Sequence, residues 1–365
     1  MCFEVTAASG EMFLDKLWIS NYSMNGLFAI DLETNKTEFY GFFPNEKIDI
    51  QMLHRWTFLI DGKVFFIPFS GDNIHIFDGD EIESIYIGKK KNEDAFVCSG
   101  AVYDEANSYI YIIPMDNEHD LIRFDTVTYK IEVIDNFSES LKSIDSYFEN
   151  MSYVIQISNV YLYGSELLFL YGYRWLVKWD IAHGKMDYQL VSESRSNMAY
   201  NVFPQESFVD IAYQNGDYIR FKKDNNKKNI RFNYGVGDMH FPMKSYKLGA
   251  YEYFYYDRVD KIIKVDEKDE VTDLFEPTNF KNSNMESGFG EFLECKNVGD
   301  KVFLFSPSKR GYISMNTFGE LEQILIDYDI SSIRNIYLNK LTQNGFLTEY
   351  RVCLSDYLSF IDEKG

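Results

Sequence analysis

A chain of 365 residues that is 45% hydrophobic and 17% aromatic, with only 7 prolines, is a folded globular protein and not a disordered one. Its 36 Lys and Arg against 57 Asp and Glu give a formal charge of −21. A field of that sign repels phosphate backbones and anionic lipid heads, so neither nucleic acid nor a membrane surface is an expected partner.

The N-terminus, MCFEVTAASGEMFLDK, has no basic n-region and no apolar h-region, so no secretory leader is expected. Apolar stretches such as Leu167–Tyr171 have strand length and not membrane-spanning length, and the expected location is cytoplasmic. Cys2, Cys98, Cys295 and Cys353 are far apart, without CxxC or CxxH spacing. Reduced thiols are expected, with no metal and no cofactor.

Taken in chain order, one unit recurs: an apolar run, a short polar loop, then a second apolar run ending at an acidic residue. The copies are LWIS–NYSMNG–LFAIDLETNK (Leu17–Lys36), VFFIPF–SGDN–IHIFDGD (Val64–Asp80), IYIIP–MDNEHD–LIRFDTVTYK (Ile110–Lys130) and LLFLYG–YRW–LVKWDIAHGK (Leu167–Lys185). Further copies start at Phe208, Tyr253, Val302 and Phe346. The marker falls at Asp31, Asp78, Asp125, Asp180, Lys222, Asp266, Asn316 and Asp362, with a mean spacing of about 47 residues, the length of a blade of four short strands.

Ile, Val, Tyr and Phe fill the runs, and Gly, Asn, Asp and Ser bound them, which is strand chemistry. An inner strand is expected before the first unit at Phe3–Ala8 and before the third at Phe96–Ala101, with small residues suited to a crowded axis. Outer strands are expected around Glu38–Tyr40 and Ser84–Ile87. The one helix candidate is Asp135–Glu149, an insertion in the longest spacing. The expected fold is all-β: a single β-propeller over residues 1–365 with eight four-stranded blades, or alternatively seven. The repeat units run near 1–43, 44–90, 91–136, 150–192, 200–236, 240–276, 288–328 and 332–365.

The ending VKWDIAHGK (Val177–Lys185) resembles the close of a WD40 blade, and LFAIDLETNK and LIRFDTVTYK resemble its looser form in bacterial β-propeller repeat proteins. The resemblance implies the fold alone, since propellers host binding scaffolds and enzymes alike.

For chemistry, none of His54, His75, His119, His183 and His240 sits in a metal-binding spacing. His75 reads as a hydrogen-bonded structural residue and His183 as a surface one. His54, in QMLHRW, lies where an inner strand should begin at the pore mouth, and His54 and Arg55 are the catalytic candidates, as base and anion clamp. Asp116–Asp120 has oxygen ligands without calcium-loop spacing, and reads as a solvated loop. The repeated aspartates read as turn caps that accept backbone N–H bonds. Arg174, Arg258, Arg310 and Arg351 recur in the loops between second and third strands, with Trp175 beside them. Those loops share one face, where guanidinium forks could hold a carboxylate or phosphate.

These features point to a non-enzymatic binding or scaffolding protein that holds a protein, peptide or acidic ligand on a propeller face. The alternative is a propeller lyase, hydrolase or cyclase acting on a sugar or peptide at the pore mouth. Too few residues follow Asp362 for an outer strand, so the last blade is expected to have three strands. Its edge, Tyr357–Ile361, is expected to pair with a partner strand or a second copy, and the ring to close by side-chain packing without a strand shared across the seam.

Overall fold

The protein, seen in a computed structural model, is built almost wholly of antiparallel β-sheet. Residues 7–328 are described apart from 23, 35, 48–49, 89–96, 116–118, 145–156, 194–197, 205–207, 214–217, 223–226, 231–241, 249–250, 257–261, 267, 269, 276–293, 299–300, 306–311, 317–320 and 325–326; residues 1–6 and 329–365 also lie outside the described residues.

Each of the first seven units forms one meander, with strands A to D in sequence order from the inside outward. Blade 1 is Ala7–Phe13, Lys16–Asn21, Leu27–Asp31 and Lys36–Gly41. Blade 2 is His54–Ile60, Lys63–Pro68, Asn73–Phe77 and Ile82–Tyr86. Blade 3 is Cys98–Asp104, Tyr109–Pro114, Leu121–Asp125 and Ile131–Ile134. Blade 4 is Ile157–Tyr163, Glu166–Tyr171, Trp175–Asp180 and Lys185–Leu190. Blade 5 is Ala199–Pro204, Phe208–Tyr213, Tyr218–Lys222 and Lys227–Ile230. Blade 6 is Pro242–Leu248, Tyr251–Tyr256, Ile262–Val265 and Val271–Phe275. Blade 7 is Glu294–Val298, Lys301–Phe305, Tyr312–Asn316 and Leu321–Ile324.

The B strands read as unbroken apolar runs because both of their faces are buried, one against each neighbouring blade. In blade 3, Ile110 and Ile112 join Phe65, Ile67 and Ile76 of blade 2, while Tyr111 and Ile113 join Phe169, Tyr171 and Trp179 of blade 4. Leu168 and Leu170 of blade 4 then turn the other way, onto Val202, Ile211 and Tyr213 of blade 5. Successive side chains of one strand thus feed successive cores, and the period of two in the backbone builds the ring. A six-residue helix, Phe137–Lys142, follows blade 3 within the expected insertion. Its Phe137 ring packs edge-on to Trp179 at 5.2 Å, and Asp120 Oδ1 accepts the Ser138 amide at 2.9 Å. Asp120 therefore serves the helix start, a role its acidic neighbours had obscured.

The aspartate markers do what a turn cap does. Asp31 Oδ1 accepts from Glu33 N and Thr34 N at 2.9 and 3.0 Å, Asp78, Asp125 and Asp180 repeat the pattern, and Asp266 accepts from Lys268 N and Glu270 N.

Inner strands run side by side round the axis, and that of blade 7 lies beside that of blade 1. Among the described residues seven blades close the ring, the count given as the alternative. Closure is set by how inner strands pack at the axis, a property that a tally of repeats does not carry. The unit read from Phe346 and its edge at Tyr357–Ile361, expected to pair with a partner strand or a second copy, lie outside the described residues, as does Phe3 of the first expected inner strand. Its described part runs Ala7–Phe13 and ends five residues past the expected Ala8, because Phe13 pairs with Lys16 through a tight turn. Small residues do mark close inner-strand approach: a Cβ on Gly100 would stand 2.6 Å from Val160 Cγ2 of blade 4.

One expectation about the seam is overturned. Asp327–Tyr328 pairs in parallel with Lys36–Thr37, adding a fifth strand outside blade 1. The chain leaves blade 7 at its outer strand, next to the outer edge of blade 1, so a seam-crossing strand is the short path.

Candidate functional site

In each meander the start of strand A and the B–C loop lie at the same end of the sheet. Blade 2 shows it directly, where His54 at the start of strand A pairs with Pro68 at the end of strand B. The D–A and B–C loops together make one face of the ring, and Arg55 and Arg174 both stand at that end of their blades.

His54 is buried, and both ring nitrogens are engaged within the protein. Nδ1 lies 2.8 Å from Ser20 Oγ and Nε2 lies 2.8 Å from His75 Nδ1, while His75 Nε2 lies 2.9 Å from the Pro44 carbonyl. The carbonyl accepts only, so His75 Nε2 carries a proton and its Nδ1 accepts. His54 Nε2 must then donate, leaving its Nδ1 to accept from the Ser20 hydroxyl. The row runs one way, from Ser20 through two neutral imidazoles to Pro44. Burial, and after it the neighbouring His75, holds His54 well below the usual imidazole range. Burial brings His75 down to about 4, against the opposing hydrogen bond to Pro44. Phe43 and Phe66 rings flank His54 at 4.4 and 5.6 Å.

Glu46 completes the brace. Its Oε1 accepts from Asp72 N, Asn73 N and Asn73 Nδ2 at 2.9, 2.9 and 2.7 Å. Burial raises its carboxyl pKa, and the hydrogen bonds from Asn73 and Asp72 oppose the rise. Asn25 of the blade 1 B–C loop holds the same turn, accepting from Phe43 N at 2.9 Å and donating to Phe43 O at 3.0 Å. The D–A turn Phe42–Lys47 is thereby pinned to the B–C loops of two blades.

Arg55 points beside this brace. Its guanidinium stands 5.3 Å from the centre of the Trp56 indole and 5.5 Å from that of Phe69. The Tyr22 phenol, raised by burial, is pulled back by the same cation. Cys98 lies within the field of Arg55 too, but burial pushes its thiol up to about 12, and its Sγ donates to Gly100 O at 3.0 Å. A thiol in that state is a packing group and not a nucleophile.

Arg174 sits in the B–C turn of blade 4, where its Nε donates to Ser192 O at 3.3 Å and its own carbonyl accepts from Val191 N and Ser192 N. Trp175 packs edge-on to Tyr188 at 5.5 Å. Arg258, Arg310 and Arg351 lie outside the described residues. Among the described residues no group of three His, Cys, Asp or Glu could hold a metal ion. His183 is on the surface as expected, with Nδ1 2.7 Å from Asp180 Oδ2. Ser20, Asn25, Glu46 and Asn73 were not singled out in the sequence, where each reads as an ordinary loop or strand polar residue.

The fold defines the class: this is a β-propeller. By structure it is similar to virginiamycin B lyase from Staphylococcus aureus, at 14% identity over 84% of this chain and 92% of that one, with a TM-score of 0.58. A streptogramin B lyase matches at 10% identity over the same shares, also at 0.58. PorZ of Porphyromonas gingivalis, a surface component of a type-IX secretion system, matches at 10% identity and 0.55, over 90% of this chain and 39% of its own. At such identities the likeness is one of fold. By sequence, no family model and no curated protein matches the chain.

Proposed function

We propose that the protein is a non-enzymatic binding protein that holds an acidic segment of a protein or peptide on the face bearing the D–A and B–C loops. The observation that carries this reading is Arg55, a guanidinium set over the faces of Trp56 and Phe69 at the start of the inner strand of blade 2. Stacking on two aromatic faces orients the guanidinium, whose planar fork is the shape that suits a carboxylate. Beside it, His54, His75 and Glu46 are spent on bracing the turn Phe42–Lys47, which gives a preorganised surface. Arg174 and Trp175 extend the same face.

The overall charge of −21 opposes an acidic ligand at long range. Recognition is therefore short-range, and moderate salt should speed association by screening that repulsion. The test titrates acidic, neutral and basic peptide sets against wild type, Arg55→Gln and Arg174→Gln. Acidic peptides should bind saturably, and Arg55→Gln should weaken them at least tenfold. Equal binding of all sets, or peptide cleavage seen by mass spectrometry, would defeat the reading, the latter in favour of the enzyme alternative.

A further inference from the structure

The row Ser20–His54–His75–Pro44 contains a constraint that goes beyond any reading of what the face binds. Each imidazole carries one proton in the arrangement above, and the pair can take up one more without losing a hydrogen bond. His75 would then donate from both nitrogens, His54 would accept at Nε2 and donate from Nδ1, and the Ser20 hydroxyl would turn from donor to acceptor. A second added proton has no such place. It would set two N–H groups against each other across a 2.8 Å gap. Ring separation is the relief, and it strains the bond from His75 Nε2 to Pro44 O that holds the D–A turn.

We propose that the turn Phe42–Lys47 is a latch released by two protons, opening on acidification when the His54–His75 pair charges, ahead of any unfolding of the blades. Its shorter attachments are His75 Nε2 to Pro44 O, the amides of Asp72 and Asn73 and the Asn73 side chain to Glu46 Oε1, and Asn25 to Phe43. Longer bonds of 3.4–3.5 Å run from Ser84 Oγ to Pro44 O, from Asn73 Nδ2 to Asn45 O and from Asn25 Nδ2 to Glu46 O. The groups facing the pair are Ser20 from blade 1, Phe66 and Ser84 from blade 2, and Phe43 and Pro44 from the turn itself. Of the described charged groups on the turn, Lys47 is exposed and Glu46 faces Asp72 and Asn73. Among the described residues, no charged partner therefore compensates the imidazoles where they sit.

Linkage fixes the sign. Released imidazoles regain ordinary affinity for protons, whereas the latched pair is depressed, His75 to about 4. Between the ordinary imidazole pKa and that value, the open form binds more protons. Each proton contributes a factor of ~10 per pH unit to the open-to-closed ratio, so two give up to ~100. Glu46 pulls the other way, because its raised carboxyl takes a proton in the closed form first. Glu46→Gln removes that opposing titration while keeping an oxygen acceptor for the two amides.

The experiment is native-state hydrogen exchange on the full chain from pH 7.5 to 5, corrected for intrinsic rates. It follows the amides of Phe43, Asp72 and Asn73, which the latched turn protects. In wild type their opening constants should rise by up to ~100-fold per pH unit below about pH 6, and Glu46→Gln should be as steep or steeper. His54→Phe, which fits between Phe43 and Phe66, should cut the dependence to ~10-fold or less per unit. Opening that ignores pH, keeps its slope in His54→Phe, or coincides with exchange of the blade cores would overturn the latch. If His54→Phe does not fold, nitrogen-15 imidazole spectra of wild type decide instead. Both histidines should carry the proton on Nε2 at pH 7.5, and a proton on Nδ1 of either would refute the wiring.

Discussion

Gly10 on the inner strand of blade 1 lies against Phe305 at the end of strand B of blade 7, so closely that a Cβ on Gly10 would stand 3.1 Å from Phe305 Cζ. Two residues almost 300 positions apart thus meet at the seam of the ring. The same Cβ would also stand 2.8 Å from Ile19 Cγ2 and 3.1 Å from the Trp18 carbonyl, which is backbone and cannot step aside.

Gly10→Val should therefore cost ~1–3 kcal/mol, as overpacking of a filled site does. Urea midpoints read the loss. Combining it with Phe305→Leu should recover part of the cost, giving a coupling between the two positions. Strict additivity of the two changes would show that blade 7 does not press on Gly10.

A second seat of strain-free but costly chemistry lies in blade 5. Asp210, wholly buried, accepts Arg220 through two bonds of 2.9 Å, from Nε to Oδ1 and from Nη2 to Oδ2. The two residues face each other in register on strands B and C. Asp210→Ala should destabilise by ~3–5 kcal/mol, since it leaves a charge buried without its carboxylate. Replacing both by Leu and Met should cost far less, because the desolvation of the pair disappears with it. Thermal denaturation of the three variants separates these outcomes; equal losses in single and double variants would contradict the argument.

How much of this was legible in the sequence follows from what each feature depends on. The B and C strands and the aspartate caps depend on residues within about 15 positions, so composition and spacing revealed them at Leu17–Asp31 and at Leu167–Asp180. The seam depends on Gly10 meeting Phe305, and no local pattern encodes that distance. His54 was placed correctly at the start of an inner strand, but its partners are Ser20 and His75, from another blade and another strand. The sequence offers a histidine at a pore mouth; only the packed structure shows both of its nitrogens engaged. Glu46 was missed for the same reason, since Pro-Asn-Glu reads as an exposed turn until Asp72 and Asn73 are brought against it.

The turn-capping aspartates make a shared prediction about acid. Backbone N–H bonds, above all from Thr128 to Asp125 and from Glu81 to Asp78, hold those carboxyls below the usual value. A carboxyl depressed in the folded state supports folding fully above its unfolded pKa and loses that support as pH falls through the folded value. Stability should therefore decline below about pH 4, in small steps shared among the blades, because these groups are open to solvent. Asp125→Ala should lower the melting temperature slightly at pH 7 and flatten the acid limb. An unchanged acid limb in a variant lacking Asp31, Asp78 and Asp125 together would contradict the capping role.

Glu46 should behave in the opposite sense, which makes it the sharpest single test of the face. Three N–H donors converge on Oε1 and would by themselves lower its pKa, yet burial outweighs them and the carboxyl is raised. A carboxyl raised in the folded state gives its support below the unfolded pKa and withdraws it as pH rises through the folded value. Ionisation of Glu46 is thus a burden carried for the sake of its acceptor oxygen. Glu46→Gln keeps an acceptor at the same reach and removes the buried charge, so it should leave stability at pH 7 unchanged or slightly higher. Glu46→Ala removes the acceptor, strands the Asp72 and Asn73 donors, and should cost ~1–3 kcal/mol. Denaturant titrations of wild type and both variants at pH 5 and pH 7.5 distinguish the two effects. The Gln variant should gain on wild type as pH rises, and the Ala variant should lie below wild type at both values. A Gln variant as damaged as the Ala variant at pH 7.5 would mean that the charge itself, and not the acceptor, holds the turn in place.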